Sequence, residues 1–505
     1  MAALSQQTVI AVVGAGAMGA GIAQVAAAAG HPVKLLDNRP DAAARAVAGI
    51  RAQFARLAEK GRMSAEAAAA AGDRLIPVHE LAHLADAGLV VEAIVEDLEA
   101  KQTLYRDLEH IVGPECIFGT NTSSISVTAI GAALKRPERL AGLHFFNPAP
   151  LMALVEIVSG LATDRTVADT LFATASAWCK TPVHAKSTPG FIVNSVARPY
   201  YGEALRLLHE GAADCATIDA CCREAGGFRM GPFELMDMIG HDVNFAVTQS
   251  VWKAFFNDPR FLPSLLQQEL VAAGFLGKKS GRGFHDYREG AVPPLPASES
   301  ARPAPATIAL CGDSPATAAL AARLAERGVS FSHRAAGDGR IAEADGVALY
   351  VTDGRSATRR AFASGVAATV LVDLALDYAK AGRLAIAVAD QCADPAPAIG
   401  LLQAAGLAVS RFADVPGLAV MRAVAMLANE AADAVNQGVC DAAGADAAMR
   451  LGVNYPRGPL AWADGIGLEN IRDVLANLGQ TYGEDRYRIS PLIQQKVFAG
   501  KKFHD

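Results

Sequence analysis

Residues 8–37, TVIAVVGAGAMGAGIAQVAAAAGHPVKLLD, set the first pattern: a short unbroken apolar run, a glycine turn, an alanine-rich stretch and a second apolar run. Short apolar runs bounded by turn residues read as buried strands. Val9–Val13 is therefore a strand, followed by a helix and a second strand ending at Asp37. Residues 41–72 read as helical, with Arg51, Phe54, Leu57 and Ala58 at helical spacing. Further strands are predicted at Leu89–Ile94, Cys116–Gly119, Leu140–Phe145 and Leu154–Val158. Polar residues gather where these strands end: Glu96, Asn121-Thr122-Ser123-Ser124 and His144. Carboxyl ends of strands are where open α/β sheets bind ligands.

The turn Gly14-x-Gly16-x-x-Gly19 follows a strand and opens a helix, the setting in which such a triplet carries meaning. Gly14 permits the tight turn, Gly16 lets backbone approach a pyrophosphate, and Gly19 allows close helix–strand packing. The helix start offers free N–H groups and a positive dipole end. Asp37 lies eighteen positions after Gly19 (37 − 19), about where an acid meets an adenosine ribose. A carboxylate there favours NAD over NADP, although Arg39 stands close by. A glycine triplet alone also occurs in ordinary turns, so it is the strand, helix and acid together that point to a dinucleotide.

His144 and Glu156 form the candidate acid–base pair. A neutral imidazole can take a proton from an alcohol, and a carboxylate behind it fixes the tautomer and stabilises the imidazolium. Residues twelve apart meet only if two neighbouring strands supply one each, and spacing alone favours a hydrogen-bonded core histidine with an exposed glutamate. The strings VVEAIVEDLEAK, TNTSS, GLHFFNPAPLMALVEIV, PGFIVN and MGPFELMD decide the matter. From Val9 to Tyr287 the chain resembles the 3-hydroxyacyl-CoA dehydrogenase family. The resemblance implies a Rossmann NAD domain followed by a helical domain that completes the active site. It implies His144 as catalytic base, Glu156 as its partner, and Ser123 and Asn194 as polar residues that contact substrate. It places Gly14, Ala15, Gly16, Ala17, Met18 and Gly19, with Asp37, Glu96, Lys101, Asn121, Asn147 and Lys279, at NAD. Lys60, on an inserted helical hairpin, falls where the family contacts coenzyme A, although a lone helix lysine also suits a solvated surface. Where many relatives continue PGFIVN with arginine, this chain has Ser195.

Beyond a Pro/Ala/Ser-rich linker the chain repeats itself. A shift of 227 places Pro189-Gly190 on Pro416-Gly417, Glu203 on Glu430, Asp219 on Asp446 and Asp237 on Asp464. The intervening segment reads as a worn Rossmann domain. A shift of 298 keeps Gly14 as Gly312 but gives Ser314 for Gly16, Thr317 for Gly19 and Ala335 for Asp37. A shift of 244 places Val388 on His144, and Met421 stands where Asn194 does. The expected fold class is an α/β Rossmann domain plus an all-α domain, followed by a degenerate second copy of both. The expected boundaries are 1–188, 189–290, a linker at 291–306, 307–413 and 414–505. This layout resembles the long members of the family with a reduced second Rossmann domain, including those of bacterial phenylacetate breakdown. The second copy is expected to be architectural, its helices packing on those of the first about a pseudo-two-fold axis.

Composition narrows the classes around this reading. The 505 residues exceed one core. At 51% hydrophobic and 19% charged they suit folded domains. A net charge of −6 gives no reason to expect nucleic acid or an acidic membrane surface as partner. No signal-peptide pattern and no long uninterrupted apolar run is read. The eight cysteines are scattered without metal-ligand spacing, which suits a reducing cytoplasm and no metal. The expected activity is oxidation of an acyl-CoA 3-hydroxyl, with 3-hydroxyadipyl-CoA and 3-hydroxybutyryl-CoA as candidate substrates. Arg198 or Arg229 is a candidate partner for a distal carboxylate. The alternatives are a free hydroxy acid dehydrogenase and a non-catalytic NAD-binding structural protein. Assembly into a homo-oligomer is left open.

Overall fold

The computed structural model describes residues 2–335 and 338–505. Met1, Ala336 and Gly337, inside the first and fourth expected spans, lie outside the described residues. The chain divides into two compact units, Met1–Ser195 with Gln437–Val453, and Val196–Asn436 with Asn454–Asp505.

The first unit is built on β1 (Val9–Val13), β2 (Val33–Leu36), β3 (Leu75–Val78), β4 (Ala87–Glu92), β5 (Ile117–Thr120), β6 (Leu140–Phe145), β7 (Leu154–Ser159) and β8 (Thr181–Lys186). Their order is β3-β2-β1-β4-β5-β6-β7-β8. Neighbours are parallel except β6 and β7, which are antiparallel. Both faces of the sheet are covered, and Ile10, Val12, Leu35, Leu89 and Val91 are fully buried. Such strands show no alternation, which is why they read as plain apolar runs. Of the strand ends that differ from expectation, those of β4 and β5 share one reason. β4 stops at Glu92 because Glu92 pairs with Val13, the last residue before the glycine turn, and β5 runs on to Thr120, which pairs with Glu92. The helical stretch at 41–72 is two helices, Ala42–Glu59 and Ala65–Asp73. Gly61 at φ 66° turns the chain between them, and the Ser64 hydroxyl accepts from Ala67 N–H to start the second.

The second unit carries a sheet of β9 (Ile308–Cys311), β10 (Ser332–Arg334), β11 (Arg340–Ala344), β12 (Val347–Val351), β13 (Thr369–Val372), β14 (Arg383–Val388) and β15 (Ala408–Arg411). Their order is β10-β9-β11-β12-β13-β14-β15, and β11 is antiparallel to both neighbours. A hairpin thus replaces a helical crossover, which is how this Rossmann sheet is reduced. Residues 291–306 have no regular structure, but Glu299 N–H donates to Val409 O and ties the segment alongside β15.

The two helical copies pack together in this unit. Helix Arg198–His209 lies against helix Val420–Asn436, and the Arg422 guanidinium bonds Glu203 across them at 2.8 Å. Arg486 of the second copy also bonds Glu203, at 2.8 Å. Reciprocally, Arg260 of the first copy bonds Glu430, the counterpart of Glu203, together with Asp433. Such exchanged pairs are what a two-fold relation produces. Helix Cys215–Glu224 packs on β14, with Glu224 bonded to Arg383. Its counterpart 227 residues later, Ala442–Gly452, packs on β7 and β8 of the first unit.

Strand pairing corrects one sequence alignment. β14 is antiparallel to β13 and parallel to β15, so it plays the part of β7, not of β6. The 227-residue offset matches Thr181 to Ala408; these pair with Leu154 and Arg383, so Glu156 matches Ala385. Across the antiparallel ladder Ala385 faces Asp373 as Glu156 faces His144. The residue at the His144 position is therefore Asp373, not Val388. Its carboxylate accepts N–H groups of Ala419, Val420 and Met421, closing a helix start that Glu156 closes in the first copy.

Candidate active site

The β6–β7 register sets His144 directly opposite Glu156. Nδ1 of the imidazole lies 2.6 Å from Oε2 of Glu156, and the two residues are 5% and 0% exposed. The other carboxylate oxygen accepts from Ile192 N–H at 3.1 Å and Val193 N–H at 3.0 Å. Those amides are free to point at Glu156 because the chain enters this helix through a tight turn. Gly190 sits at φ 75° and Phe191 at φ 48°, and a Cβ on Gly190 would fall 3.0 Å from Ser195 N. The same segment carries Asn194, so one carboxylate fixes both the imidazole and the loop that presents Asn194. With Nδ1 engaged by a carboxylate, that nitrogen is assigned the proton and Nε2 is left as the acid–base atom.

Phe146 and Phe191 flank the imidazole at centroid distances of 4.5 Å and 5.7 Å. Sequence reading missed both. The signal was available in the aromatics adjoining His144 and Gly190. Ser195, the departure from the family string, turns its hydroxyl back to the carbonyls of Phe191 and Ile192 at 2.8 and 3.0 Å.

The residues after β4 and β5 form a second cluster. Glu96 accepts Thr122 Oγ1 at 2.5 Å, Ser123 N–H at 3.0 Å and Ser124 Oγ at 3.1 Å. Its pKa is held below the usual range against the opposing effect of burial, through Thr122, Lys101 and the Ser123 amide. Lys101, expected at NAD, is instead 1% exposed, its ammonium bonded to Glu92 at 2.6 Å and Glu96 at 3.2 Å. A buried ammonium so paired positions Glu96, and two of its three donors are taken by the carboxylates. Glu92 itself was missed; its signal was a single acid closing the apolar run of β4. Asn121 Oδ1 accepts Phe145 N–H at 2.8 Å and holds the end of β6 that bears His144. Asn147 is exposed just beyond that strand, and Lys60 is exposed at the end of helix Ala42–Glu59. Lys279 belongs to the second unit, where its ammonium bonds Asp242.

The glycine turn fits a dinucleotide. A Cβ on Gly19 would lie 1.8 Å from Gly14 O and one on Gly14 2.4 Å from Ala93 O, whereas one on Gly16 would meet nothing within 4 Å. Gly14 and Gly19 allow close packing, and Gly16 faces open space beside the helix start. No side chain caps helix Ala17–Ala28, so its first-turn amides remain available to a pyrophosphate. Asp37 accepts Ala15 N–H at 2.7 Å, and Arg39 bonds it, holding its pKa at about 2. Asp37→Ser is expected to raise KM for NAD by about 10-fold or more, through two lost ribose hydrogen bonds, and to admit NADP through the exposed Arg39. Initial rates with each cofactor check this; an unchanged NAD/NADP preference would remove Asp37 from the ribose site.

The second copy lacks this apparatus. Thr317 stands where the first copy has Gly19, and its hydroxyl bonds Cys311 O at 2.9 Å. Ser314 caps the helix by accepting Thr317 N–H, and Pro315 has no N–H to offer. A cleft of 1460 Å³ lies on this copy, lined by Ser314, Asp353, Arg355, Met421 and Asn477 among others, and no histidine lines it. Cleft size therefore does not mark the chemistry.

Comparison with known proteins agrees with this geometry. Residues 9–188 match the family of 3-hydroxyacyl-CoA dehydrogenase NAD binding domains. The C-terminal domain of 3-hydroxyacyl-CoA dehydrogenase matches twice, at 190–287 and 417–503. Residues 349–416 match the reduced Rossmann-fold domain of 3-hydroxybutyryl-CoA dehydrogenase. The chain is 46% identical to 3-hydroxyadipyl-CoA dehydrogenase of Escherichia coli (strain K12), over 97% of each chain. It is 40% identical to a probable 3-hydroxybutyryl-CoA dehydrogenase of Bacillus subtilis (strain 168), over 55% of this chain and 97% of that one. A crystal structure of 3-hydroxybutyryl-CoA dehydrogenase from Escherichia coli K12 superposes with a TM-score of 0.88 at 44% identity, covering 98% of this chain and 99% of that chain. The chain belongs to the 3-hydroxyacyl-CoA dehydrogenase family of NAD-dependent oxidoreductases.

Proposed function

We propose that this enzyme oxidises 3-hydroxyadipyl-CoA to its 3-oxo thioester with NAD, using His144 and Glu156 as the acid–base pair. The observation that carries the chemistry is the buried His144–Glu156 bond, with the second oxygen of Glu156 fastened to the turn before Asn194. Similarity over nearly the whole chain to a relative named for the adipyl substrate supports the choice of acyl group. Bound NAD supplies the acceptor for the hydride that leaves C3. Nε2 of His144 takes the hydroxyl proton as that hydride departs, and Glu156 balances the imidazolium. Ser123 and Asn194 donate hydrogen bonds to the developing keto oxygen and the thioester carbonyl, worth a few kcal/mol together. In reduction the same imidazole returns the proton. Gly14 to Gly19 and Asp37 hold the cofactor, and Lys60 is assigned to coenzyme A.

One active site per chain follows, because the second copy has neither the histidine nor the open glycine turn. Among the described residues no helix is long and apolar enough to cross a membrane. We assign the enzyme to the cytoplasm, a reading supported by eight free cysteines. NADH formation across a panel of 3-hydroxyacyl-CoA esters tests the substrate. The adipyl ester should exceed the butyryl ester in kcat/KM by about 10-fold or more, the worth of one well-placed charged contact. A preference for the butyryl ester, or turnover of the free hydroxy acid alone, would overturn the reading.

A further inference from the structure

Six arginines of the described residues are nearly buried: Arg139, Arg198, Arg260, Arg383, Arg422 and Arg486. Five of them have a carboxylate. Arg139 bonds Glu109, Arg260 bonds Asp433, Arg383 bonds Glu224, and Arg422 and Arg486 share Glu203. Arg198 has none. It is 7% exposed, one terminal nitrogen donates to Thr248 Oγ1 at 3.1 Å, and the guanidinium lies 4.8 Å from the Tyr201 ring centroid. Its Nε is buried without a partner.

The surroundings add donors and no acid. The Tyr455 hydroxyl, within electrostatic reach of the guanidinium, is buried and unpartnered. Trp252 lies one turn beyond Thr248 on helix His241–Ala254, and its indole N–H is also buried without an acceptor. Arg198 also opens helix Arg198–His209, where the helix dipole disfavours a cation. Burial accordingly pulls its pKa below the ordinary value. A fully desolvated cation with spare donors around it is costly unless an anion joins it.

We infer that Arg198 and Tyr455 form a binding site for a carboxylate, and that the carboxylate is the one at the far end of the substrate's acyl chain. One buried positive charge matches a singly charged anion, and the planar guanidinium matches the planar carboxylate. A phosphate dianion would leave charge unbalanced. Chain connectivity keeps the Arg198 Cα within about 14 Å of the Asn194 Cα, since only four Cα-to-Cα steps join them. A carboxylate three carbons beyond the reacting C3 suits that reach. The choice of the acyl carboxylate rests on the function proposed above; the carboxylate site itself rests on the unpaired donors.

The decisive measurement compares 3-hydroxyadipyl-CoA with 3-hydroxyhexanoyl-CoA, which has the same carbon count and a methyl in place of the carboxylate. The ratio of their kcat/KM values is expected to fall by about 30-fold or more in Arg198→Met, from loss of a buried charged hydrogen-bonded contact. Arg198→Lys should recover part of the ratio, and Tyr455→Phe should lower it by about 3-fold or more. Without substrate, Arg198→Met should melt higher than the natural protein, because an unpaired buried charge is gone. Free adipate should raise the melting temperature of the natural protein and not that of Arg198→Met. A fall in both rates together with an unchanged ratio would make Arg198 merely structural and overturn the site. A ratio near one in the natural protein, with adipate still binding through Arg198, would keep the carboxylate site and reject the acyl source. A ratio near one without adipate binding would reject both. Failure of every CoA ester would refute the proposed function separately.

Discussion

His144→Ala is expected to lower kcat by about a thousand-fold while NAD affinity changes little, because a positioned acid–base group contributes about 10²- to 10⁴-fold. The lower end of that range does not apply here. The imidazole is buried beside Phe146 and Phe191, where bulk water is a poor substitute base. Glu156→Gln tests the same pair without removing a ring. The amide oxygen can still accept Ile192 and Val193 N–H, so the turn before Asn194 should persist. The amide NH₂ then faces Nδ1 of His144, which must become the acceptor and move its proton to Nε2. An imidazole protonated at Nε2 cannot take the substrate proton, so kcat should again fall by about a thousand-fold. Cofactor binding followed by fluorescence titration, beside turnover followed by NADH absorbance, separates the two effects. Turnover within a few-fold of normal in either variant would remove this pair from catalysis.

The second large effect concerns stability. Glu203, fully buried, accepts from Arg422 at 2.8 Å, from Arg486 at 2.8 Å and from Tyr487 Oη at 3.0 Å. Burial alone would raise its pKa, but the two guanidinium groups override this and hold it at about 2. Glu203→Gln leaves both cations buried against a neutral amide. Breaking one side of a buried pair costs about 3–5 kcal/mol. For a unit of this size that is a drop of about 10 °C in the unfolding midpoint, measurable by calorimetry. A change below about 1 °C would show that the network contributes nothing net, an outcome known for exposed pairs. The pH dependence has a defined sign. A carboxylate whose folded pKa is depressed stabilises above its unfolded value near 4.3, and that stability is lost as pH falls toward 2. Acid should therefore weaken the natural protein over that window more than it weakens Glu203→Gln.

Glu203 also shows how the duplication was used. Its counterpart Glu430 bonds Arg260 but is pushed up to about 7, because burial, with the neighbouring Asp433 and Asp258 carboxylates, outweighs the Arg260 and Arg488 guanidinium groups. The two copies share a backbone plan down to its strained points: Gly190 and Phe191 have positive φ, and so do Gly417 and Leu418, 227 residues later. In both copies a carboxylate closes the helix that follows, Glu156 in one and Asp373 in the other. What the second copy lacks is the histidine. The capping acid is thus part of the fold, and catalysis is the use that His144 makes of it.

Local chemistry made much of this legible in the chain itself. The glycine turn, the buried strands and the helix after them are set by short-range rules of backbone freedom and hydrophobic runs, so they could be read without neighbours. The offset of 227 likewise disclosed the repeated helical region. Tertiary structure alone decided which side chains meet. That His144 faces Glu156 depends on the antiparallel register of β6 and β7, which spacing permits but does not require. That Lys101 is locked onto Glu92 depends on burial, since a charge moves to whatever partner the folded interior offers. The misplaced counterpart of His144 has the same origin: an apolar run does not encode its direction in a sheet, so β14 could be aligned to the wrong strand until its partners were seen. And Arg198, which the sequence offered beside Arg229 as a carboxylate partner, was set apart only when packing buried it with no acid beside it.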